Sequence, residues 1–62
     1  PGIVVAPETR IEDEDGKPAD APVIPEASLV EVGPRKENRV LVRWGNYEGW
    51  VPWGAVRTLA VR

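Results

Sequence analysis

The aromatic residues of this 62-residue chain all lie between positions 44 and 53. They are Trp44, Tyr47, Trp50 and Trp53. Indole and phenol rings can stack on a peptide, a sugar ring or a nucleobase, and Tyr47 and Trp53 would form such a surface if both were exposed. The alternative is structural, because a buried Trp adds roughly 150–250 Å² of apolar area to a core. In that case Trp44 and Trp50 could contact each other across a hairpin.

A run of acidic residues follows the first apolar segment and consists of Glu12, Asp13, Glu14 and Asp15. Consecutive carboxylates repel one another, so the run predicts a solvated loop, with a turn at Asp15 and Gly16. The functional interpretation is that these carboxylates receive a Lys or Arg side chain of a ligand. Such charge-assisted pairs would act on orientation and association rate more than on affinity.

Charge is divided unequally along the chain. Residues 1–31 contain eight acidic and two basic side chains, whereas residues 32–62 contain two acidic and six basic ones. We expect the two halves to pair within one small domain, with modest attraction between surface charges. The alternative is a bipolar binding surface.

The basic residues of the second half could also form a nucleic-acid interface together with the tryptophans. The residues concerned are Arg35, Lys36, Arg39, Arg43 and Arg57. A nucleic-acid-binding domain is expected to be basic overall, but this chain has a net charge of −2 and a sequence pI of about 5.0. A nucleic-acid partner is therefore not expected.

Composition excludes most catalytic chemistry. The chain contains no His, Cys or Met, which removes the ordinary ligands of zinc, haem and iron–sulfur centres together with thiol and imidazole catalysis. Its hydroxyl groups have no imidazole to activate them, and no glycine-rich phosphate loop is present. We therefore expect no enzyme activity, no cofactor and no metal site.

The length of the chain limits the number of domains it can form. A domain of 62 residues buries only about 60% of the surface of its unfolded chain, so residues 1–62 form one small domain at most. No stretch approaches the ~18 apolar residues of a membrane span, so membrane insertion is not expected. Pro1 and Gly2 carry neither a start Met nor a signal-peptide pattern, and we expect a fragment of a larger protein.

Local patterns predict β-structure throughout. Seven Pro and six Gly interrupt the chain, and no window has helical periodicity. About five short strands are predicted, at residues 3–6, 28–32, 39–44, 50–53 and 56–61. In the third strand, alternation places Val40, Val42 and Trp44 on one face. Residues 45–49 are predicted as the hairpin connection after it, residues 35–38 as a loop before it, and the whole as a bent sheet closing into a small barrel.

Residues 42–59 resemble the C-terminal half of bacterial SH3-like domains. In that family a strand, a Gly-containing hairpin, a Gly-Trp-Val core, a short 3₁₀ turn and a final strand follow in this order, as Gly49, Trp50 and Val51 do here. Residues 2–11 resemble the opening strand of the same domains, and residues 29–32 resemble the second. The resemblance implies an all-β fold, a small five-stranded SH3-like barrel with a long acidic first loop and a short 3₁₀ turn before the last strand.

The segment from Gly49 through Val51, Pro52 and Val56 also resembles the ending of eukaryotic SH3 domains. Those domains place a groove-lining Tyr where this chain has Ala55, and no aromatic counterpart stands near Ala6. The aromatic walls that hold a polyproline helix are therefore mostly absent, so ordinary polyproline recognition is not expected.

The resemblance implies a non-catalytic binding module of a bacterial protein in the cell envelope or periplasm. Its expected ligand is a peptide, a peptidoglycan stem peptide or a partner protein, bound by an aromatic patch beside the acidic loop. The expected binding residues are Tyr47, Trp50, Pro52, Trp53, Glu12, Asp13, Glu14 and Asp15. The alternative is a purely structural capping or docking domain.

Overall fold

The computed structural model describes residues 1–59 and shows an all-β chain, as predicted. Seven short strands are present where about five were expected, because two strands of two residues each form within the long first connection. A single-turn 3₁₀ helix, Trp53–Ala55, precedes the last strand. The strands are β1 Gly2–Val4, β2 Glu8–Thr9, β3 Ile24–Pro25, β4 Leu29–Lys36, β5 Arg39–Trp44, β6 Tyr47–Pro52 and β7 Val56–Thr58.

Five of the strands form one sheet in the order β6-β5-β4-β1-β7, and β2 pairs with β3 in a second, two-stranded sheet. Every pairing between these strands is antiparallel. The first strand was predicted at residues 3–6 and the last at 56–61; both are shorter in the structure, and the prediction for residues 60 and 61 lies outside the described residues.

The β5–β6 hairpin has the alternation that the sequence predicts. Val40 faces Val51 and Val42 faces Gly49 on the buried side, whereas Leu41 faces Trp50 on the other side. The predicted hairpin connection at residues 45–49 was too long, because only Gly45 and Asn46 lie between the strands. Gly45 has a φ of 60°, which suits the two-residue turn.

Strand β4 extends further than predicted. We expected it to stop at Gly33 and Pro34, but it continues to Lys36, with a register shift between Val32 and Arg35. An irregularity of this kind accommodates a proline, since the residue cannot donate a ladder hydrogen bond. The connection to β5 is thereby reduced to Glu37 and Asn38. Glu37 adopts a left-handed φ of 57°.

Gly49 acts as a packing residue within β6. A Cβ at this position would collide with the side chain of Ile11 and would lie 2.9 Å from the carbonyl oxygen of Glu12. The glycine therefore allows the long first connection to lie directly on β6, which brings the acidic run to the sheet.

The core is aliphatic. Its buried residues come from every part of the described chain, and Trp44 and Trp53 pack against it while remaining partly exposed. The core is formed by Val4, Ile11, Ile24, Val30, Val40, Val42, Val51, Ala55 and Val56. The tryptophans are therefore at the margin of the core rather than at its centre.

Among residues 1–59, no helix has the length and apolar character needed to cross a membrane.

Candidate ligand-binding groove

The acidic run forms an ordered turn that is held by hydrogen bonds to Asp13. One carboxylate oxygen of Asp13 accepts hydrogen bonds from the backbone N–H groups of Asp15 and Lys17, at 2.9 and 3.0 Å. The backbone N–H of Asp13 donates to the carbonyl of Lys17, and that of Gly16 donates to the carbonyl of Asp13. Gly16 has a φ of 84°, so the turn predicted at Asp15 and Gly16 is present.

Glu12 joins this turn to the sheet. Its backbone N–H donates to the carbonyl of Trp50 and its carbonyl accepts from the N–H of Trp50, each at 2.8 Å. The pair covers part of the free edge of β6 and fixes the acidic turn beside the outer face of the hairpin.

Arg39 supplies a second attachment from the basic half of the chain. Its guanidinium donates to the backbone carbonyl oxygens of Asp13 at 3.3 Å and Glu14 at 3.1 Å. The contact uses carbonyls rather than carboxylates, and the side chains of Glu14 and Asp15 remain exposed. The two oppositely charged halves therefore meet here while the acidic charge stays accessible.

A groove of about 320 Å³ lies between the first part of this connection and the 3₁₀ helix. Its apolar contributors are small: Ala6, Pro52 and Ala55. Charged residues also line it, and the full set is Ala6, Glu8, Thr9, Arg10, Glu12, Pro52, Gly54 and Ala55. Two carboxylates against one guanidinium make the lining acidic.

Thr9 is the buried polar residue of the groove lining. It is only 2% exposed, and its hydroxyl has no hydrogen-bond partner among residues 1–59. A buried hydroxyl without a partner costs about 1–3 kcal/mol. A polar ligand group that formed a hydrogen bond with this hydroxyl would recover that free energy.

Three of the residues predicted to bind ligand lie at this side of the molecule. Glu12 and Pro52 line the groove, and Trp50 is paired with Glu12 through the backbone. The carboxylates of Asp13, Glu14 and Asp15 belong to the adjoining turn, where that of Asp13 is used internally.

The other aromatic residues are distributed over the hairpin and do not form a common patch. Tyr47 lies beside the two-residue turn, with its ring centroid 6.0 Å from that of Trp44. Pro52 ends the same strand, roughly 16 Å away at the rise of an extended chain. Trp53, after Pro52, is covered by the guanidinium of Arg35 at 4.4 Å.

The expected contact between Trp44 and Trp50 is also absent. The register pairs Trp44 with Tyr47 and Trp50 with Leu41. Side chains of a strand alternate between its faces, so the two indoles belong to opposite faces of the hairpin. Each is half-buried.

Sequence reasoning missed most of the groove. Ala6, Glu8, Thr9 and Arg10 were not among the expected binding residues, and neither were Gly54 and Ala55. The sequence shows Ala55 at the position where eukaryotic SH3 domains have a groove-lining Tyr. The shape of the space beside Ala55, however, depends on contacts between segments some forty positions apart. Among residues 1–59, no three acidic side chains are grouped so as to hold a metal ion.

No family model, no curated protein and no solved structure matches this chain. The groove is therefore interpreted from its own geometry.

Proposed function

We propose that this chain is a non-catalytic SH3-like interaction module that binds a short peptide segment carrying a Lys or Arg. The observation that carries the proposal is the groove itself, in which Ala6, Pro52 and Ala55 provide apolar contact while Glu8 and Glu12 provide negative charge. A concave surface that combines apolar contact with charged groups suits a peptide segment carrying a basic side chain.

The SH3-like part of the proposal rests on the sequence resemblance and on the order of the elements along the chain. A long first connection, a five-stranded sheet and a 3₁₀ helix before the last strand occur in the order that the resemblance implies. The same resemblance includes peptidoglycan stem peptides among the candidate ligands and favours a bacterial cell-envelope protein as the source. In this proposal the same groove would bind any one of these ligands: a peptide, a segment of a partner protein or a stem peptide.

The exposure of the acidic side chains determines how much each would contribute to binding. The carboxylate of Glu8 is exposed and that of Glu12 is half-buried, so each ion pair with a ligand contributes modestly to affinity. The exposed acids of the turn increase the association rate of a cationic segment and select its orientation. Thr9 adds a hydroxyl that a ligand amide could satisfy after a small local opening.

The test is a titration of ¹⁵N-labelled protein with an acetylated, amidated peptide of alternating Pro and Lys, and separately with soluble peptidoglycan fragments. We expect the amides of residues 8–12, 54 and 55 to shift, and Glu8→Lys to weaken peptide binding about threefold or more. Glu48→Lys is the matched control, because Glu48 lies outside the groove, opposite Arg43 in the strand register of the hairpin. Absence of these shifts at millimolar concentrations of both probes would exclude recognition by this groove.

A second candidate function, docking onto a partner or onto the rest of a parent protein, is favoured by a different surface. Leu29 is 68% exposed and Leu59 is 43% exposed, and both line one depression. We propose that these two aliphatic side chains, which share one depression, are covered when the domain docks. Shifts confined to Leu29 and Leu59 on mixing with a partner, with the groove unchanged, would support this function over the first.

A further inference from the structure

A second concave surface adjoins the 3₁₀ helix, and its charged side chains are basic. Arg35 places its guanidinium carbon 4.4 Å from the centre of the Trp53 ring, within the range of a cation–π contact. Its Nε donates to the carbonyl of Glu37 at 3.1 Å. Two contacts therefore hold the guanidinium at a fixed place.

Trp53 is itself fixed. Its backbone N–H donates to the carbonyl of Asn38 at 2.7 Å, which ties the 3₁₀ helix to the turn between β4 and β5. One side of its indole packs against the aliphatic core. The left-handed conformation of Glu37 shapes the same turn, whose carbonyls receive both hydrogen bonds.

A cavity of about 350 Å³ borders the indole. Trp53, Gly54, Val56, Arg57 and Thr58 line it, so it offers an aromatic ring, a second guanidinium and a hydroxyl. Gly54 also lines the acidic groove, so the two surfaces adjoin the same turn.

Within residues 1–59, no carboxylate lies within ion-pair distance of Arg35 or Arg57. This differs from Arg39, whose donors are used by the acidic turn. The Nε of Arg35 is occupied, which leaves its two Nη groups to hold a carboxylate in a bidentate pair. Because the side chain is already ordered, little conformational entropy is lost on binding.

We propose that this surface binds an acidic peptide segment. One Glu or Asp side chain pairs with Arg35 above the Trp53 ring, and a second carboxylate is received by Arg57. A short acidic peptide is favoured over a nucleic acid because the surface offers two guanidinium groups, which match two carboxylates rather than a long phosphate backbone. A long polyanion would also meet the repulsion of the exposed acidic turn.

The experiment is a titration of ¹⁵N-labelled protein with an acetylated, amidated octapeptide of alternating Glu and Gly. The Gln–Gly peptide of the same length is the control ligand. We expect the indole N–H of Trp53 and the amides of residues 54–58 to shift only with the Glu peptide. Arg35→Gln and Arg57→Gln should each weaken its binding by about 3- to 10-fold, since each removes one charge-assisted contact. Arg43→Gln, between Glu31 and Glu48 in the sheet register, should leave it unchanged.

Equal shifts with the Gln peptide, or unchanged affinity in Arg35→Gln, would overturn the proposal. A third titration uses an oligothymidylate of eight nucleotides. Tighter binding of this probe to Trp53, with affinity that falls steeply with salt, would assign the surface to nucleic acid instead and would equally overturn it. Glu8→Lys affects the acidic groove, whereas Arg35→Gln affects this basic surface. A failure of the acidic-peptide proposal can therefore be distinguished from a failure of the proposed function.

Discussion

Arg39 donates a hydrogen bond from its Nη2 to the backbone carbonyl oxygen of Glu14 at 3.1 Å, across 25 positions of the chain. A second bond from the same guanidinium reaches the carbonyl of Asp13. The basic half of the sequence therefore orders the acidic half through its backbone. The side chains of Glu14 and Asp15 remain exposed, which the proposed peptide recognition requires.

Replacing Arg39 with Lys should loosen the acidic turn. An ammonium group lacks the planar arrangement of donors that reaches two carbonyls, so we expect faster hydrogen exchange at Gly16 and Lys17 and a loss of about 1 kcal/mol in the free energy of unfolding. Chemical denaturation and amide exchange measure the two effects. Arg43→Lys is the control, and equal exchange rates in the two variants would contradict the role assigned to Arg39.

Replacing Gly49 with Ala should strongly destabilise the domain. The new methyl group would overlap Ile11 and the Glu12 carbonyl, and a backbone oxygen cannot move away without breaking the bonds between Glu12 and Trp50. We expect a loss of about 2 kcal/mol or more in the free energy of unfolding. Gly54→Ala is the matched control, since a Cβ there meets nothing within 4 Å. Similar thermal midpoints for both variants would show that the first connection does not pack on β6 as described.

Replacing Val40 with Ala should create a cavity at the centre of the sheet. Val40 is fully buried and faces Val51, which is also fully buried. Loss of two methyl groups should cost about 2 kcal/mol. In a domain of this size, that is a large part of the total stability. Leu29→Ala removes more apolar volume from a side chain that is 68% exposed and should leave the urea midpoint nearly unchanged.

Replacing Ala27 with Gly should stabilise the domain, against the usual effect of this substitution. Ala27 has a φ of 70°, where a Cβ is disfavoured by about 1–2 kcal/mol. Part of that gain is offset by the larger entropy of the unfolded chain, which leaves about 0.5–1 kcal/mol. The control is Ala21→Gly, at a residue without a left-handed φ, and it should destabilise. A lower thermal midpoint for Ala27→Gly than for the unmodified chain would refute the prediction.

Local patterns were sufficient where neighbouring residues decide the structure. The alternation predicted that Val40 and Val42 share one face of β5, which the structure shows to be buried, and Asp15 with Gly16 predicted a turn. They failed at Pro34, because whether a strand ends at a proline or continues past it through an irregularity depends on the strand beside it. They also misjudged Gly49, which was interpreted as a turn residue but is required by the packing of Ile11.

By itself, the sequence determined the all-β character of the chain, the shared face of Val40 and Val42, and a turn at Asp15 and Gly16 within the acidic run. These follow from periodicity, from the Pro and Gly content and from turn chemistry, all of which act over a few residues. Only the tertiary structure decided which side chains share a surface. Strand register separated Tyr47 from Trp53, and the path of the first connection brought Thr9 and Glu12 to Pro52. Those contacts join distant segments, so their geometry is set by packing of the whole domain rather than by any local pattern.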